Sequence, residues 1–321
     1  CLSTVVMLPN LSPAALLRTH TLHSSPTSEL YAAMMEGTTV VVKRTKITSR
    51  GEIERFAKEV ALLRACSHRN VVQPLALMRA PPTYAFVMPL FPHGSLFGVL
   101  HNSGRQLSLR GALSVLADVS SAVAHLHEVG VLHRDVKSDN VLFDGSWRAV
   151  LVDFNASEKT ADVLADIVAP SRPSGGFFKQ FVVGTLPYMA PELPRSARGA
   201  AYTERCDVYS CGILANEVLT QTIPYSDAQT EQVKLQTILE ARYNYEQLTA
   251  AIATDGLRPC QPEADDAFPP ALLELTRRCW AEDVQRRPRA SEAHAVIAEL
   301  LRTAGGGGEG GEGEGGCGCE G

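Results

Sequence analysis

Two short loops carry the residues with the clearest chemistry in this chain. The run His133-Arg134-Asp135-Val136-Lys137-Ser138-Asp139-Asn140 follows an apolar helical segment, and Asp153-Phe154-Asn155 follows a short apolar strand. The first loop offers a carboxylate that can accept a proton, Asp135, and an amide that can bind a metal, Asn140. The second offers a metal-binding carboxylate, Asp153. A base beside two hard oxygen ligands is the set that phosphoryl transfer from a magnesium nucleotide requires.

The segments before these loops predict a small part rich in strands. Leu16–Leu22, Glu29–Ala33, Val40–Lys43 and Tyr84–Leu90 have the composition of strands. One helix is predicted among them, beginning at Ser49, because Ser49 and Glu52 have the spacing of a capping box.

The rest of the chain predicts a helical part. A long apolar-periodic segment ends at Gly130, the residue type that commonly ends a helix. The predicted helices are Leu113–Val129, Val208–Thr220, Gln229–Ala241, Pro270–Trp280 and Ser291–Leu301.

Composition excludes some classes of protein. The chain has 321 residues, 45% of them apolar, with a net charge of -5, so nothing indicates a nucleic-acid partner. No apolar run approaches the roughly 20 residues of a membrane span. The eight cysteines are mostly scattered, which is typical of reduced thiols and leads us to expect a cytoplasmic protein. Because the first residue is Cys1 rather than Met, we expect a fragment. No pattern predicts an oligomeric state.

The predicted boundaries follow composition. Residues 1–15 lack a clear period and are expected to be a linker or the end of an upstream region. One domain is predicted over 16–303. Residues 304–321 are nearly all Gly and Glu and are expected to be disordered. Cys317 and Cys319 lie in this tail, and two ligands are too few for a metal site.

Several separated motifs, in order between about Leu16 and Arg302, resemble those of the eukaryotic protein kinase family. They are Val40–Lys43, His133–Asn140, Asp153–Asn155, Gly184–Glu192, Asp207–Gly212 and Arg286–Pro288. The resemblance implies a bilobal α+β fold, with a small β-rich lobe over about 16–91 and a larger helical lobe over about 92–303. Gly256–Pro259 and Cys279-Trp280 resemble the tyrosine-kinase-like group, whose members mostly phosphorylate Ser and Thr.

The resemblance assigns roles to the charged residues. Lys43 would contact the α and β phosphates of ATP and pair with a helix carboxylate, with Glu59 preferred over Glu52 or Glu54.

In the two loops, Asp135 would be the catalytic base and Lys137 would lie near the γ-phosphate, as in serine/threonine kinases. Asn140 and Asp153 would bind Mg²⁺. His133 is expected to be a packed structural residue.

The resemblance also implies a nucleotide pocket and three structural contacts. Pro89 would offer its C=O and Phe91 its N–H to the adenine edge. The remaining residues expected at the nucleotide are Leu30, Val41, Met88, Leu142, Ser25 and Ser28. Glu192 is expected to pair with Arg287, and Asp207 to brace the catalytic loop. Protein substrates are implied as partners.

Three features of the sequence depart from the family's pattern. The glycine-rich loop is absent, and its glycine positions fall on His23, Ser25 and Ser28, so nucleotide affinity is expected to be reduced. Asn155 replaces a glycine after Asp153-Phe154, a tolerable change if the position needs a positive φ. Val41 replaces the usual alanine against adenine and narrows the pocket.

Regulation by phosphorylation is also in question. The arginine before the catalytic aspartate often pairs with a phosphorylated activation segment in the family. Here Phe177–Val183 contains no Ser, Thr or Tyr, so the usual site is absent and Ser171 and Ser174 are the nearest upstream candidates.

Three functions remain open at this level. The first is an active serine/threonine kinase, because all five residues to which the resemblance gives a role in phosphoryl transfer are present. They are Lys43, Glu59, Asp135, Asn140 and Asp153. The second is a pseudokinase that serves as a scaffold or allosteric module, because the glycines are lost. The third is a small-molecule or lipid kinase of related fold, against which the Gly184–Glu192 motif argues.

Overall fold

The computed structural model describes residues 8–81, 83–163, 184–195, 202–226, 245–262 and 268–304. The predicted helix Gln229–Ala241, the candidate phosphosites Ser171 and Ser174, and the Gly/Glu tail from residue 305 lie outside the described residues. Within the described residues, every helix is too short or too polar to cross a bilayer.

The small lobe is one antiparallel sheet with a single long helix. Its strands are β1 (Leu17–Ser24), β2 (Ser28–Met35), β3 (Thr38–Thr45), β4 (Ala76–Ala80) and β5 (Thr83–Pro89), in the spatial order β1-β2-β3-β5-β4. The helix is α1 (Arg50–Ala65). Strand β4 had no counterpart among the predicted strands.

The sheet register determines which way Lys43 faces. Lys43 on β3 lies opposite Phe86 on β5, and directly paired residues share a face of the sheet. Phe86 packs against Phe56 of α1, with ring centroids 4.7 Å apart. The Lys43 side chain therefore lies on the face that α1 covers. The opposite face buries its own cluster, which includes Val40 and Val42.

Helix α1 begins where the sequence predicted. The Glu52 carboxylate accepts a hydrogen bond from the Ser49 N–H at 3.0 Å, the return half of a capping box. Three of its apolar residues, Phe56, Val60 and Leu63, are buried. This face anchors the helix to the sheet and so fixes the next turn, which carries Glu59.

Part of the segment predicted as a linker belongs to this lobe. The Leu77 N–H donates to Pro9 O at 2.9 Å, and the Leu11 N–H donates to Leu77 O at 2.8 Å. Residues 9–11 thus extend the sheet along β4, whose outer backbone groups would otherwise lack partners.

The large lobe is built from helices and two short strand pairs. The helices are α2 (Leu109–Glu128), α3 (Glu192–Arg195), α4 (Glu204–Thr220), α5 (Tyr245–Ala253), α6 (Pro270–Cys279) and α7 (Ala290–Thr303). The strands are β6 (Val131–Leu132), β7 (Val141–Phe143), β8 (Ala149–Leu151) and β9 (Glu158–Lys159), with β6 paired to β9 and β7 to β8. One described 3-10 turn, Pro13–Ala15, precedes β1 in the small lobe. Those of the large lobe are Ser138–Asn140, Phe154–Ala156, Leu186–Tyr188 and Val284–Arg286. Gly98–Asn102 is a π-helical turn.

The helical core holds the short strands in place. Helix α2 buries an apolar face, including Leu113 and Leu126, against α4 and α7. Helices α4 and α6 approach so closely that a Cβ on Gly212 would lie 2.8 Å from the Cys279 Cβ. The strand pairs sit at the ends of the two predicted catalytic loops, because β6 precedes His133 and β8 precedes Asp153. The predicted bilobal α+β fold is confirmed.

Candidate active site

A lysine and two carboxylates meet between the lobes. The Lys43 Nζ lies 3.0 Å from Glu59 Oε1 and 2.9 Å from Asp153 Oδ1. Of the alternative helix carboxylates, Glu52 caps α1 and Glu54 pairs with Arg50 on the surface. The structure thus brings together three residues that lie on β3, on α1 and after β8.

Burial and neighbouring charges shift the pKa values of these three side chains in opposite directions. Burial alone would lower the pKa of Lys43, but the carboxylates of Glu59 and Asp153 outweigh it and raise that pKa. Burial raises the pKa of Glu59 despite the opposing effect of Lys43. Burial also disfavours the charge on Asp153, yet Lys43 more than compensates, so the pKa of Asp153 is lowered. Lys43 and Asp153 are therefore charged at neutral pH.

The backbone after β8 carries its positive φ on Asp153. Asp153 has φ 65° and ψ 82°, whereas Asn155 lies in a 3-10 turn and is not among the described residues with positive φ. The backbone conformation at Asn155 therefore does not require glycine. The positive φ that the sequence led us to consider for this position lies on Asp153 instead. The Asn155 N–H instead donates a hydrogen bond to the Asp153 carboxylate and helps lower its pKa.

The catalytic-loop residues form a second cluster around Asp135. Asn140 Nδ2 donates to Asp135 Oδ2 at 2.8 Å, and the Lys137 Nζ lies 3.1 Å from the same oxygen. The Thr185 hydroxyl donates to Asp135 Oδ1 at 2.8 Å and accepts from Lys137 Nζ at 2.7 Å. Each oxygen of Asp135 therefore has a fixed donor, and its carboxylate is held in one orientation.

Sequence reasoning assigned no role to Thr185 itself. The available signal was the Gly184-Thr185 pair that begins the predicted end of the activation segment. Gly184 has φ +120°, and a Cβ there would lie 2.9 Å from Arg134 O. Only glycine permits this approach, which brings Thr185 to Asp135.

His133 is a buried structural residue, as predicted, with no exposed area. Its Nε2–H donates to Val152 O at 3.1 Å, and its Nδ1 accepts from the Asp135 N–H at 3.4 Å. The neutral ring satisfies both contacts. Burial lowers the pKa of His133, although nearby carboxylates oppose this. Its ring also meets the Phe154 ring edge-on, with centroids 5.0 Å apart, so it joins the two loops.

Asp207 on α4 braces the catalytic loop from below. It accepts hydrogen bonds from the His133 N–H at 2.9 Å and the Arg134 N–H at 2.8 Å. His127 Nε2, at 2.9 Å, and the Tyr202 hydroxyl, at 3.0 Å, complete the set. Burial would raise the pKa of Asp207, but the hydrogen bond from His127 and its other partners lower it. The sequence indicated Asp207 but neither His127 nor Tyr202.

The predicted Glu192–Arg287 pair is present. Arg287 is 1% exposed, and its two terminal nitrogens lie 2.7 and 2.8 Å from the Glu192 carboxylate oxygens. Nearby, Arg258 Nε donates to Trp280 O at 3.1 Å. The two sequence stretches that resembled the tyrosine-kinase-like group therefore contact each other.

The residues predicted at the adenine lie on β2, β3, β5, β7 and the segment that follows β5. Val41 pairs with Met88, and Val40 pairs with Pro89 in the sheet. Leu142 forms an isolated bridge with Ser95, which brings β7 beside the segment that follows β5. Leu30 on β2 lies opposite Lys43. Met88 and Phe91 pack partly buried against the main core. Their contact with adenine stays a prediction.

The turn that replaces the glycine-rich loop is stabilised by its own hydroxyls. Ser25 Oγ lies 3.1 Å from Ser28 Oγ, and the Ser28 N–H donates to Ser25 Oγ at 3.0 Å. Lys46 Nζ donates to Ser25 O at 2.5 Å. A phosphate would have to draw these hydroxyls away from each other. The predicted role of Ser25 and Ser28 in phosphate binding is not tested by this arrangement.

A cavity of about 600 Å³ lies beside this turn. Its lining includes Ser28, Lys43 and Glu59 from the small lobe and Phe154 and Asn155 from the large lobe. The predicted phosphate-binding turn and the Lys43 ion pair thus border the same space.

Comparison with known proteins identifies the family. Residues 26–296 match the protein kinase domain. The chain is 35% identical over 277 residues to a protein kinase and PP2C-like domain-containing protein of Arabidopsis thaliana, covering 85% of this chain and 41% of that protein. A rice protein of the same description is 32% identical, covering 90% of this chain and 44% of that protein. The serine/threonine-protein kinase STY46 of Arabidopsis thaliana is 29% identical, covering 84% of this chain and 41% of that protein.

The chain spans less than half the length of these three relatives. Both the family match and the ion-pair cluster of Lys43, Glu59 and Asp153 extend across the two lobes. The chain therefore belongs to the protein kinase family.

Proposed function

We propose that this kinase transfers the γ-phosphate of Mg-ATP to serine or threonine hydroxyls of protein substrates, with Asp135 as the catalytic base. The arrangement of Asn140, Lys137 and Thr185 around the Asp135 carboxylate carries this proposal. A base must be held where the substrate hydroxyl arrives, and three fixed partners provide that orientation.

The proton acceptor is a carboxylate whose lone pairs are not all used. Asp135 Oδ1 accepts from the Thr185 hydroxyl and Oδ2 from Asn140 Nδ2. An ionised carboxylate has about four acceptor sites. A substrate hydroxyl can therefore hydrogen-bond to a remaining site and give up its proton to Asp135 as its oxygen attacks the γ-phosphorus, while the bond from that phosphorus to the bridging oxygen breaks and ADP leaves. Lys137, between Asp135 and Thr185, would stabilise the negative charge of the transferring phosphoryl group.

Asn140 and Asp153 fit a Mg²⁺ site. Asn140 donates its Nδ2 to Asp135, which leaves the amide oxygen as the atom for a metal, and Asp153 uses Oδ1 for Lys43 and retains Oδ2. In the described part of the chain, no group of three or more His, Cys, Asp or Glu residues could hold a metal. Mg²⁺ suits such a sparse set, because phosphate oxygens and water complete its coordination. When bound, it would neutralise charge on the phosphates.

Lys43 would hold the α and β phosphates, since Glu59 and Asp153 keep it charged and immobile. The adenine would lie between Leu30, Val41 and Met88 above and Leu142 below. Pro89 and Phe91 would offer their backbone C=O and N–H to its edge, and Ser25 and Ser28 would lie over the phosphates.

A paired assay tests the proposal. Wild type, Asp135→Asn and Asp139→Asn are incubated with radiolabelled ATP, Mg²⁺ and myelin basic protein, and the labelled amino acids are identified. Asp139 is an exposed carboxylate in the same loop and serves as the matched control. We expect transfer to Ser or Thr by wild type and Asp139→Asn only. Unchanged transfer by Asp135→Asn contradicts the assignment of the base.

A pseudokinase is the second candidate, favoured by the Ser25–Ser28 contact that occupies the hydroxyls of the phosphate turn. Thermal unfolding with and without Mg-ATP separates the two. Stabilisation by Mg-ATP without transfer to any acceptor supports the pseudokinase, whereas stabilisation with transfer supports the kinase.

A further inference from the structure

The arginine of the catalytic loop makes an ion pair that the proposed chemistry does not use. Arg134, directly before Asp135, donates through Nη1 to the Glu158 carboxylate. Its side chain is 14% exposed, and its residue has φ 70°. Arg134 Nε is buried and has no hydrogen-bond acceptor among the described residues. Glu158 is therefore the carboxylate that neutralises this partly buried cation.

The position of Glu158 is fixed by the backbone on both sides. Glu158 pairs with Leu132 in the β6–β9 ladder, one residue before His133. The preceding residue, Ser157, donates its hydroxyl to His133 O at 3.1 Å. Because β6 leads directly into the catalytic loop, a residue on β9 cannot move without moving that loop.

The same carboxylate also reaches the small lobe. Glu158 Oε1 accepts from Lys58 Nζ on α1, while Oε2 accepts from Arg134. Glu158 is 20% exposed and Lys58 is 43% exposed. Lys58 precedes Glu59, the partner of Lys43. One carboxylate thus links the loop that carries Asp135 to the helix turn that carries Glu59.

By the family's pattern, a phosphorylated residue just before Gly184 would pair with Arg134, but this segment has no residue that can be phosphorylated. Phe177–Val183 contains no Ser, Thr or Tyr. A phosphate on the activation segment orders kinases by supplying charge-assisted hydrogen bonds to arginine. A carboxylate that bridges Arg134 and Lys58 supplies the same kind of bond without modification.

We propose that Glu158 is a positioning residue that holds α1 and the catalytic loop in their active arrangement, so that activity does not depend on phosphorylation of the activation segment. This inference rests on the proposed phosphoryl transfer at Asp135. Glu158 lines the same cavity as Lys43, and the proposal gives it no contact with substrate or nucleotide. It acts through Arg134 on one side and through Lys58 on the other.

The test uses three variants and a phosphatase. Glu158→Gln keeps the size of the side chain and removes its charge, and Lys58→Met removes only the partner on α1. Asp162→Asn is the matched control, because Asp162 also lies near Lys58, at 3.8 Å, and among the described residues it forms no ion pair with Arg134. Each protein is assayed for kcat and for the KM of the acceptor. Wild type is assayed before and after complete dephosphorylation, verified by intact mass.

We expect kcat of Glu158→Gln to fall about 10- to 100-fold, the range expected when reacting groups are displaced, with the acceptor KM within about twofold. Lys58→Met is expected to lower kcat in the same direction, Asp162→Asn to match wild type, and dephosphorylated wild type to retain its activity. A merely structural role would lower the melting temperature without this split between kcat and KM.

Two results overturn the inference while the kinase assignment stands. One is a kcat for Glu158→Gln and Lys58→Met equal to that of wild type. The other is loss of wild-type activity on dephosphorylation and its return on autophosphorylation. If Glu158→Gln does not fold, Lys58→Met decides, since the Lys58 side chain is 43% exposed and its replacement leaves the core intact. No transfer by wild type would overturn the proposed function and this inference together.

Discussion

The ion pair between Glu192 and Arg287 gives the sharpest prediction of stability. Arg287 is among the largest fully buried side chains, and Glu192 binds both of its terminal nitrogens. Arg287 also donates to Ala281 O at 2.9 Å and to Arg205 O at 3.1 Å. These carbonyls fix the guanidinium, so it cannot turn to solvent when the carboxylate is lost.

Replacing Glu192 by Ala leaves a buried cation without its counter-charge. Removing one partner of a buried pair costs about 3–5 kcal/mol. Because Arg287 keeps its two carbonyl acceptors, we expect Glu192→Ala to cost about 3 kcal/mol, the lower end of that range. Exposed pairs contribute far less, typically under about 1 kcal/mol.

Equilibrium unfolding in urea measures this cost. Trp280, which is 7% exposed and adjacent to Ala281, reports the change by fluorescence. Glu282→Gln is the control, because Glu282 is 51% exposed and also pairs with arginine, at 2.9 Å from Arg258. The double variant Glu192→Met, Arg287→Met is expected to lose less stability than Glu192→Ala, since it leaves no charge buried.

Two outcomes would refute this reasoning. A cost for Glu192→Ala below about 1 kcal/mol would mean that the guanidinium is not desolvated as the structure indicates. A double variant less stable than Glu192→Ala would mean that packing and carbonyl contacts, rather than the uncompensated charge, dominate.

Three further predictions concern the loops. Asn155→Gly is expected to change kcat by less than about twofold, because the positive φ lies on Asp153, and a gain of tenfold or more would contradict this. Ser25→Ala is expected to raise the KM for ATP without lowering kcat, through loss of a hydroxyl over the phosphates, and an unchanged KM would remove that residue from the site. The free energy of unfolding is expected to fall as pH drops below about 6.5, because the pKa of buried His133 is lowered and the unfolded chain binds more protons there. His68→Gln, which removes a second histidine of lowered pKa, should retain part of that slope, and a flat profile in this variant would contradict the role of His133.

The local sequence patterns predicted which helices and strands form more accurately than the residues at which they begin and end. The long helix of the large lobe was predicted from Leu113, but α2 begins at Leu109. Its N-cap is Ser108, whose hydroxyl accepts from the Gly111 N–H at 3.2 Å, and this signal lies outside the apolar period. The helix ends with Gly130 at φ 72°, as the sequence predicted. Strand β4 was not predicted, because the sequence of Ala76–Ala80 alone does not indicate a strand. Its pairing with β5 defines it.

The individual loop motifs were readable because each is contiguous, whereas their partners come from distant segments. Thr185 reaches Asp135 across fifty residues, and His127 reaches Asp207 across eighty. Glu158 looked like an ordinary polar residue in the sequence, since its two cationic partners lie on another helix and another loop. Charge pairs of this kind depend on the packing of the lobes, which no local pattern specifies.

The most direct test of the central claim separates nucleotide binding from transfer. Mg-ATP affinity by calorimetry and turnover on one protein acceptor are measured for wild type, Asp135→Asn and Asp153→Asn. We expect Asp135→Asn to bind Mg-ATP as wild type does and to lose turnover, while Asp153→Asn loses the magnesium-dependent part of the affinity as well. Full turnover by Asp135→Asn, or unchanged magnesium dependence in Asp153→Asn, would contradict the roles assigned to the two loops.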